Sequence, residues 1–323
     1  MVKIGDSGSR GITGEPEPAG ALDTQLVAGS HSPREHEADE TVEQILAEMD
    51  ELVGLDQAKV QIRRIVATHE ANRIRHENGH ARVPIALHLV FQGPPGTGKT
   101  TLARIVARLY RAVGLLPRGH LVEADRSSLV AGYVGQTAIK VQEVVAKADG
   151  GILFVDEAYS LASDNGAGFG DEAIATLVKE MENRRDRMAV VIAGYAKAID
   201  DLLVSNEGLR SRFKQYVTFS DYSHDELAAI FSRLADEHAI ALNKNVSEAV
   251  STHLAQAQTA GAAGNARYVR NLFEEMFARM SERAIEDGVV EAHEVVAFEV
   301  NDVPEIVSRE QHFGFVNPID SSP

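Results

Sequence analysis

Gly93-Pro94-Pro95-Gly96-Thr97-Gly98-Lys99-Thr100 fits the pattern GxxxxGK[ST] without a gap, and its flanks decide how the chain folds. An apolar run over residues 85–91 precedes it and predicts a buried strand. Leu102-Ala103-Arg104-Ile105-Val106-Ala107-Arg108-Leu109 follows with the apolar spacing of a helix. Strand, glycine-rich loop and helix in that order is the context the pattern requires. Glycines let the backbone wrap phosphate oxygens, and N–H groups at the helix start point at the anion. Lys99 is suited to reach the β- and γ-phosphates and Thr100 to hold Mg2+, with Thr101 counted among the nucleotide-binding residues. The stretch predicts a site for a nucleoside triphosphate such as ATP.

From this unit the pattern extends in both directions. Thr41 is suited to cap a helix over residues 42–52, Leu52-Val53-Gly54-Leu55 breaks it, and a second amphipathic stretch covers 57–75. Strands are expected at 85–92, 120–124, 151–155, 188–193 and 215–219, with helices at 100–113, 136–148 and 171–183. Strands alternating with helices need crossover connections, so the expected class is α/β with a parallel five-stranded sheet between helices. After Asp221 the strand signals stop, and residues 225–239, 246–257 and 266–287 read as a small all-α domain. Residues 291–300 add a short strand or a helical turn. Residues 1–40 hold eight Asp or Glu against three Lys or Arg and show no apolar period, the composition of a disordered acidic tail. The expected division is a tail over 1–40, an α/β domain over 41–220, a helical domain over 221–301 and a flexible end over 302–323.

Composition narrows the function classes. A chain of 323 residues suffices for two domains. The absence of cysteine excludes disulfides and thiolate metal sites and suits a cytoplasmic protein. Twelve histidines show no metal-ligand spacing such as HExxH. No apolar stretch approaches the roughly 20 residues that span a bilayer, so no membrane span is expected. A formal net charge of −16 argues against a broad nucleic-acid footprint, which needs clustered Lys and Arg.

Ile152-Leu153-Phe154-Val155-Asp156-Glu157 is the second anchor, an apolar strand that ends in two carboxylates. Alone it is a weak signal. Some fifty residues after the phosphate loop, at the tip of another central strand, it gains a role. Asp156 is suited to hold hydrated Mg2+ on the phosphates, and Glu157 to polarise the attacking water. The presence of Glu157 favours hydrolysis over a mere nucleotide switch.

These two motifs and the helical domain after the sheet resemble an AAA+ ATPase with its lid domain. The chain is similar to the CbbX/SpoVK-like group, which includes red-type Rubisco activase, stage V sporulation protein K and the ATPase half of a type VII secretion component. The resemblance runs from about residue 50 to 300. It rests also on Glu51-Leu52-Val53-Gly54-Leu55, Arg118-Gly119-His120-Leu121-Val122-Glu123-Ala124, Gly150-Gly151 ahead of the second motif and Ala158-Tyr159 after it. Val191-Ile192-Ala193-Gly194-Tyr195 and Gly208-Leu209-Arg210-Ser211-Arg212-Phe213 complete it.

The resemblance lends roles to further residues. It implies that Tyr133-Val134-Gly135 forms a pore loop of a hexameric ring. Read from the residues alone, a loop tyrosine between Gly132 and Gly135 is equally a gripping aromatic or a side chain tucked against a neighbour. It implies that Arg212, or Arg210 in its place, is an arginine finger for the neighbouring subunit, because a guanidinium is always charged and forks onto phosphate. It assigns Arg267 as the lid sensor of the phosphates, with Arg270 packing or pairing on the lid. It sets Val53 and Gly54 beside the adenine. One departure stands out: many AAA+ proteins end the fourth strand on a polar sensor, often Asn, whereas this chain has Ala193-Gly194-Tyr195.

The leading expectation is an ATP-hydrolysing, Mg-dependent homo-hexamer that pulls a protein client through a Tyr133-lined pore. Rubisco activation is one specific form of it. A nucleic-acid loader and a nucleotide-gated scaffold are the readings from other classes.

Overall fold

The computed structural model describes residues 40–305 apart from 82, 134, 163–167, 262–263 and 286–293. The acidic stretch 1–39 and residues 306–323 of the expected flexible end lie outside the described residues.

Five strands form one parallel sheet: β1 (Leu89–Gln92), β2 (Leu121–Ala124), β3 (Ile152–Val155), β4 (Ala189–Gly194) and β5 (Gln215–Thr218), in the order β2-β3-β4-β1-β5. β3 and β4 are buried along their whole length, as strands covered on both faces must be. Successive side chains alternate between two cores. Leu89, Phe91, Phe154 and Val191 pack toward α1 (Val42–Glu51), α2 (Asp56–Glu77) and α3 (Lys99–Ala112). Val90, Leu153, Val155 and Ile192 pack the other way. There they meet α5 (Thr137–Ala148), α6 (Phe169–Asn183), α7 (Ala196–Ser205) and α8 (Glu207–Arg212), while α4 (Arg126–Leu129) follows β2 directly. The five-stranded parallel α/β expectation is met.

Local chemistry sets the ends of these elements. Thr41 caps α1 as expected: its hydroxyl accepts the Gln44 N–H at 3.3 Å, and the Gln44 side chain accepts the Thr41 N–H at 2.9 Å. β1 is shorter than the expected 85–92. Ahead of Leu89, side chains take the place of the ladder bonds. The Val190 N–H donates to His88 Nδ1 at 3.0 Å, and Gln215 Nε2 donates to the Ala86 carbonyl at 2.7 Å. The extended run 85–88 is therefore held without being a strand. Three short helices, α4, α7 and α8, and a 3-10 turn at Ala158–Ala162 have no counterpart in the expected elements.

After β5 the chain forms α9 (His224–Glu237), α10 (Lys244–Thr259) and α11 (Ala266–Ala284) around a core of their own. Phe231, Phe273 and Phe298 meet there with ring centroids 5.4–6.1 Å apart. In 291–300, residues 291–293 lie outside the described residues. The rest supplies a single parallel bridge from Ala297 to Ala241 and leads into a 3-10 turn, Val300–Asp302. Leu55, at a left-handed φ of 61°, packs against both the sheet core and this helical lid core.

Candidate active site

The strand order puts the site where it is. β1 has β4 on one side and β5 on the other, and the chain leaves β1 for the far edge of the sheet. The C-terminal tips of β1, β3 and β4 open at this reversal, where parallel α/β sheets bind ligands. Gly93, Asp156, Glu157, Gly194 and Tyr195 emerge from those tips. With the start of α11 they line a cleft of about 260 Å³.

The phosphate loop is braced from within. The buried Thr97 hydroxyl donates to the Pro94 carbonyl at 2.8 Å. Lys99, first residue of α3, donates to the Gly93 and Pro94 carbonyls at 3.1 and 2.5 Å. Burial lowers the Lys99 pKa first; Asp156 raises it, Arg267 lowers it and Glu157 raises it in turn. These couplings place the expected catalytic groups in one electrostatic neighbourhood. Gly98, Thr100 and Thr101 also line the cleft.

Asp156 follows β3 and accepts the Glu157 N–H at 3.0 Å. Glu157 is exposed, with φ at +46°. A left-handed glutamate costs about 1–3 kcal/mol and persists where the surroundings over-determine it. One of its neighbours is Tyr159, which sequence reasoning did not assign to the site. The Tyr159 pKa is raised first by burial, then by the Glu157 carboxylate and by Tyr195. The Tyr159 and Tyr195 rings lie 6.2 Å apart. A Cβ on Gly194 would sit 2.8 Å from the Tyr159 ring, so the glycine at the tip of β4 makes room for it. The signal available in the sequence was the adjacency of Tyr159 to Asp156-Glu157.

Arg267 lines the cleft from the lid. Arg270, expected to pack or pair on the lid, lines the same cleft and has no hydrogen bond or ion pair among the described residues. Val53 and Gly54 stand apart from the phosphate cleft, in the turn between α1 and α2, with Gly54 against Glu226 and Tyr222 of the lid.

Two expected groups face elsewhere. Tyr133 is 74% exposed in the loop between α4 and α5; Gly135 has φ +80°, and Val134 lies outside the described residues. Arg210 and Arg212 end α8, outside the cleft. Arg212 donates to the Gly208 carbonyl at 3.0 Å and to Glu182 at 3.2 Å. Arg210 is exposed and has no such bond among the described residues. Beneath Arg212, burial and then the nearby guanidinium push the His88 imidazole down to about 4.

A parallel sheet with a phosphate loop on its first strand and Asp-Glu on the strand beyond its neighbour defines a nucleotide hydrolase of the P-loop class. Comparison with known proteins agrees. Residues 89–221 match the "ATPase family associated with various cellular activities (AAA)", and residues 223–313 match the "AAA lid domain". The chain belongs to the AAA family of ATPases. It is 39% identical over 247 residues to stage V sporulation protein K of Bacillus subtilis, covering 76% of this chain and 77% of that protein. Protein CfxQ of Xanthobacter flavus is 37% identical, with 84% and 86% covered. The ESX-3 secretion system protein EccA3 of Mycolicibacterium smegmatis is 43% identical over 71% of this chain, but the match spans only 40% of that longer relative. A solved Thermotoga maritima RuvB variant superposes with a TM-score of 0.50 at 21% identity over 76% of this chain and 70% of that one, a likeness of fold alone. No described helix is long and apolar enough to cross a membrane.

Proposed function

We propose that the chain is a Mg-dependent ATPase that assembles, as a hexamer, into a ring and pulls a client protein through a pore lined by Tyr133, Val134 and Gly135. The observation that carries this reading is the division of labour. Lys99, Asp156, Glu157 and Arg267 share one cleft, while Tyr133, Arg210 and Arg212 lie outside it. Residues set apart from a complete hydrolytic set suit work on other chains. In this reading the sheet domain (41–220) and the lid (221–301) are the two halves of a cytoplasmic motor unit.

The chemistry follows from the residues. Residues Gly93 to Thr101 cradle the triphosphate, with Val53 and Gly54 at the adenine end. Lys99 leaves the Gly93 and Pro94 carbonyls to bind the β- and γ-phosphate oxygens. Glu157 accepts a proton from water as the oxygen attacks the γ-phosphorus and the bond to the β–γ bridging oxygen breaks, giving ADP and phosphate. The Thr100 hydroxyl and the Asp156 carboxylate line the same cleft and are hard oxygen donors that fit Mg2+, which when bound neutralises charge on the phosphates. Arg267 opposes that charge from the lid, and Arg212 or Arg210 from a neighbouring subunit.

Glu157→Gln removes the base and keeps the shape. Turnover is expected to fall about 10²–10⁴-fold with ATP still bound, and sedimentation should show an assembled ring. Unchanged phosphate release in that variant would refute the mechanism.

A further inference from the structure

Asn265 occupies a conformation that suits glycine. Its φ of 49° and ψ of −133° lie where side chains are rarely tolerated. It stands at the cap of α11, yet its side chain makes no cap hydrogen bond. The carboxamide is turned instead toward other elements, and the residue is 7% exposed. Nδ2 donates to the Pro95 carbonyl at 3.1 Å and to the Asp221 carboxylate at 2.8 Å, and Oδ1 accepts the Tyr222 N–H at 2.9 Å. Beside it, the Ala266 N–H donates to the Gly96 carbonyl at 3.0 Å. The fit is close: a Cβ on Gly96, whose φ is +71°, would run into the Gly264 carbonyl.

One side chain thus ties together the phosphate loop, the segment after β5 and the lid. In a phosphate-binding loop the N–H groups turn toward the anion, which leaves carbonyls for partners elsewhere. Here two of those carbonyls, of Pro95 and Gly96, accept from the lid. A strained asparagine persists when its side chain does what a hydrogen atom cannot.

We propose that Asn265 is a positioning residue that couples lid angle to the shape of the phosphate loop, so that bound nucleotide and the closed lid stabilise each other. The inference rests on the nucleotide site described above and names how that site is regulated. Whatever orders the loop orders the lid, and by linkage a fixed lid tightens nucleotide binding by the same factor. Arg267, two residues on, is carried with it.

The test uses the full chain. Asn265→Gly suits the backbone and deletes all three side-chain bonds. Asn265→Asp combined with Asp221→Asn restores the 265–221 bond with donor and acceptor exchanged and keeps the acceptor for Tyr222, but leaves Pro95 without a donor. Because the chain lacks cysteine, spin labels at Lys147→Cys and Glu274→Cys, both exposed, report lid angle without competing thiols. In the otherwise unaltered chain ADP is expected to shift the label distance. Asn265→Gly should bind ADP about tenfold more weakly by calorimetry and lose that shift, and the double variant should behave alike. Native ADP affinity and a native distance response in Asn265→Gly, whatever its melting midpoint, would overturn the inference by reducing Asn265 to a structural role. Recovery of affinity in the double variant would overturn the assignment of coupling to the Pro95 bond. Absence of ADP binding in the unaltered chain would instead overturn the nucleotide reading, and this inference with it.

Discussion

The phosphate loop follows a strand and the Tyr133 loop a short helix, both carry glycines at positive φ, and yet they are built in opposite ways. Thr97, Lys99, Asn265 and Ala266 hold carbonyls of the first from inside and outside. The second is tied at its margins, where Lys140 donates to the Val130 carbonyl and the Ala131 N–H to Thr137, while its tyrosine stands in solvent. The difference teaches where preorganisation resides. A charged transition state calls for donors fixed in advance. A residue that grips a moving partner needs reach and freedom.

The strongest way to break the contrast is Gly96→Ala. The new methyl group meets backbone in the lid at a position that already has positive φ, so about 3 kcal/mol of stability should be lost in denaturant unfolding, along with ATP turnover. A native unfolding midpoint would show that the lid does not clasp the loop. A smaller effect tests the frame behind the two loops, at His88. Its folded pKa of about 4 lies below the ordinary 6.5, so the unfolded chain takes up the proton first as pH falls. The associated stability is intact above about pH 6.5 and is lost as pH drops toward 4. Between pH 7.5 and 5 the unaltered chain should lose about 2 kcal/mol more than His88→Gln does, measured by urea titration at each pH. Parallel pH slopes in the two proteins would refute the assignment. Smallest of all is Tyr133→Ala, which should move stability by less than about 0.5 kcal/mol and leave basal ATP turnover unchanged. A large drop in either would show that the tyrosine packs at home instead of reaching outward.

What the sequence disclosed follows the same divide. Gly93 to Thr100 and Asp156-Glu157 are legible because their chemistry uses contiguous residues after an apolar strand. The inner strands β1, β3 and β4 are legible because burial on both faces leaves continuous apolar runs. The helix α8 escaped because its six residues bury only Leu209, too few to show an apolar period, whereas α7 does space Ile199, Leu202 and Leu203 as a helix would. The end of β1 escaped because side chains of His88 and Gln215, more than a hundred positions from their partners, take the place of ladder bonds. Tyr159 and Asn265 were hidden for a related reason. One acts on the site from just past a motif and the other from the opposite domain, and each shows its purpose only through its partners.

The sheet order also governs how the chain comes into being. β1 pairs only with β4 and β5, so Leu89 waits for Val191 and Gln215. At synthesis rates of roughly 5–20 residues per second, the hundred or so residues between them take about 5–20 s to appear. During that interval the apolar strand that leads into the phosphate loop has no sheet neighbour. The nascent protein is then exposed to aggregation at the very segment that will hold its nucleotide.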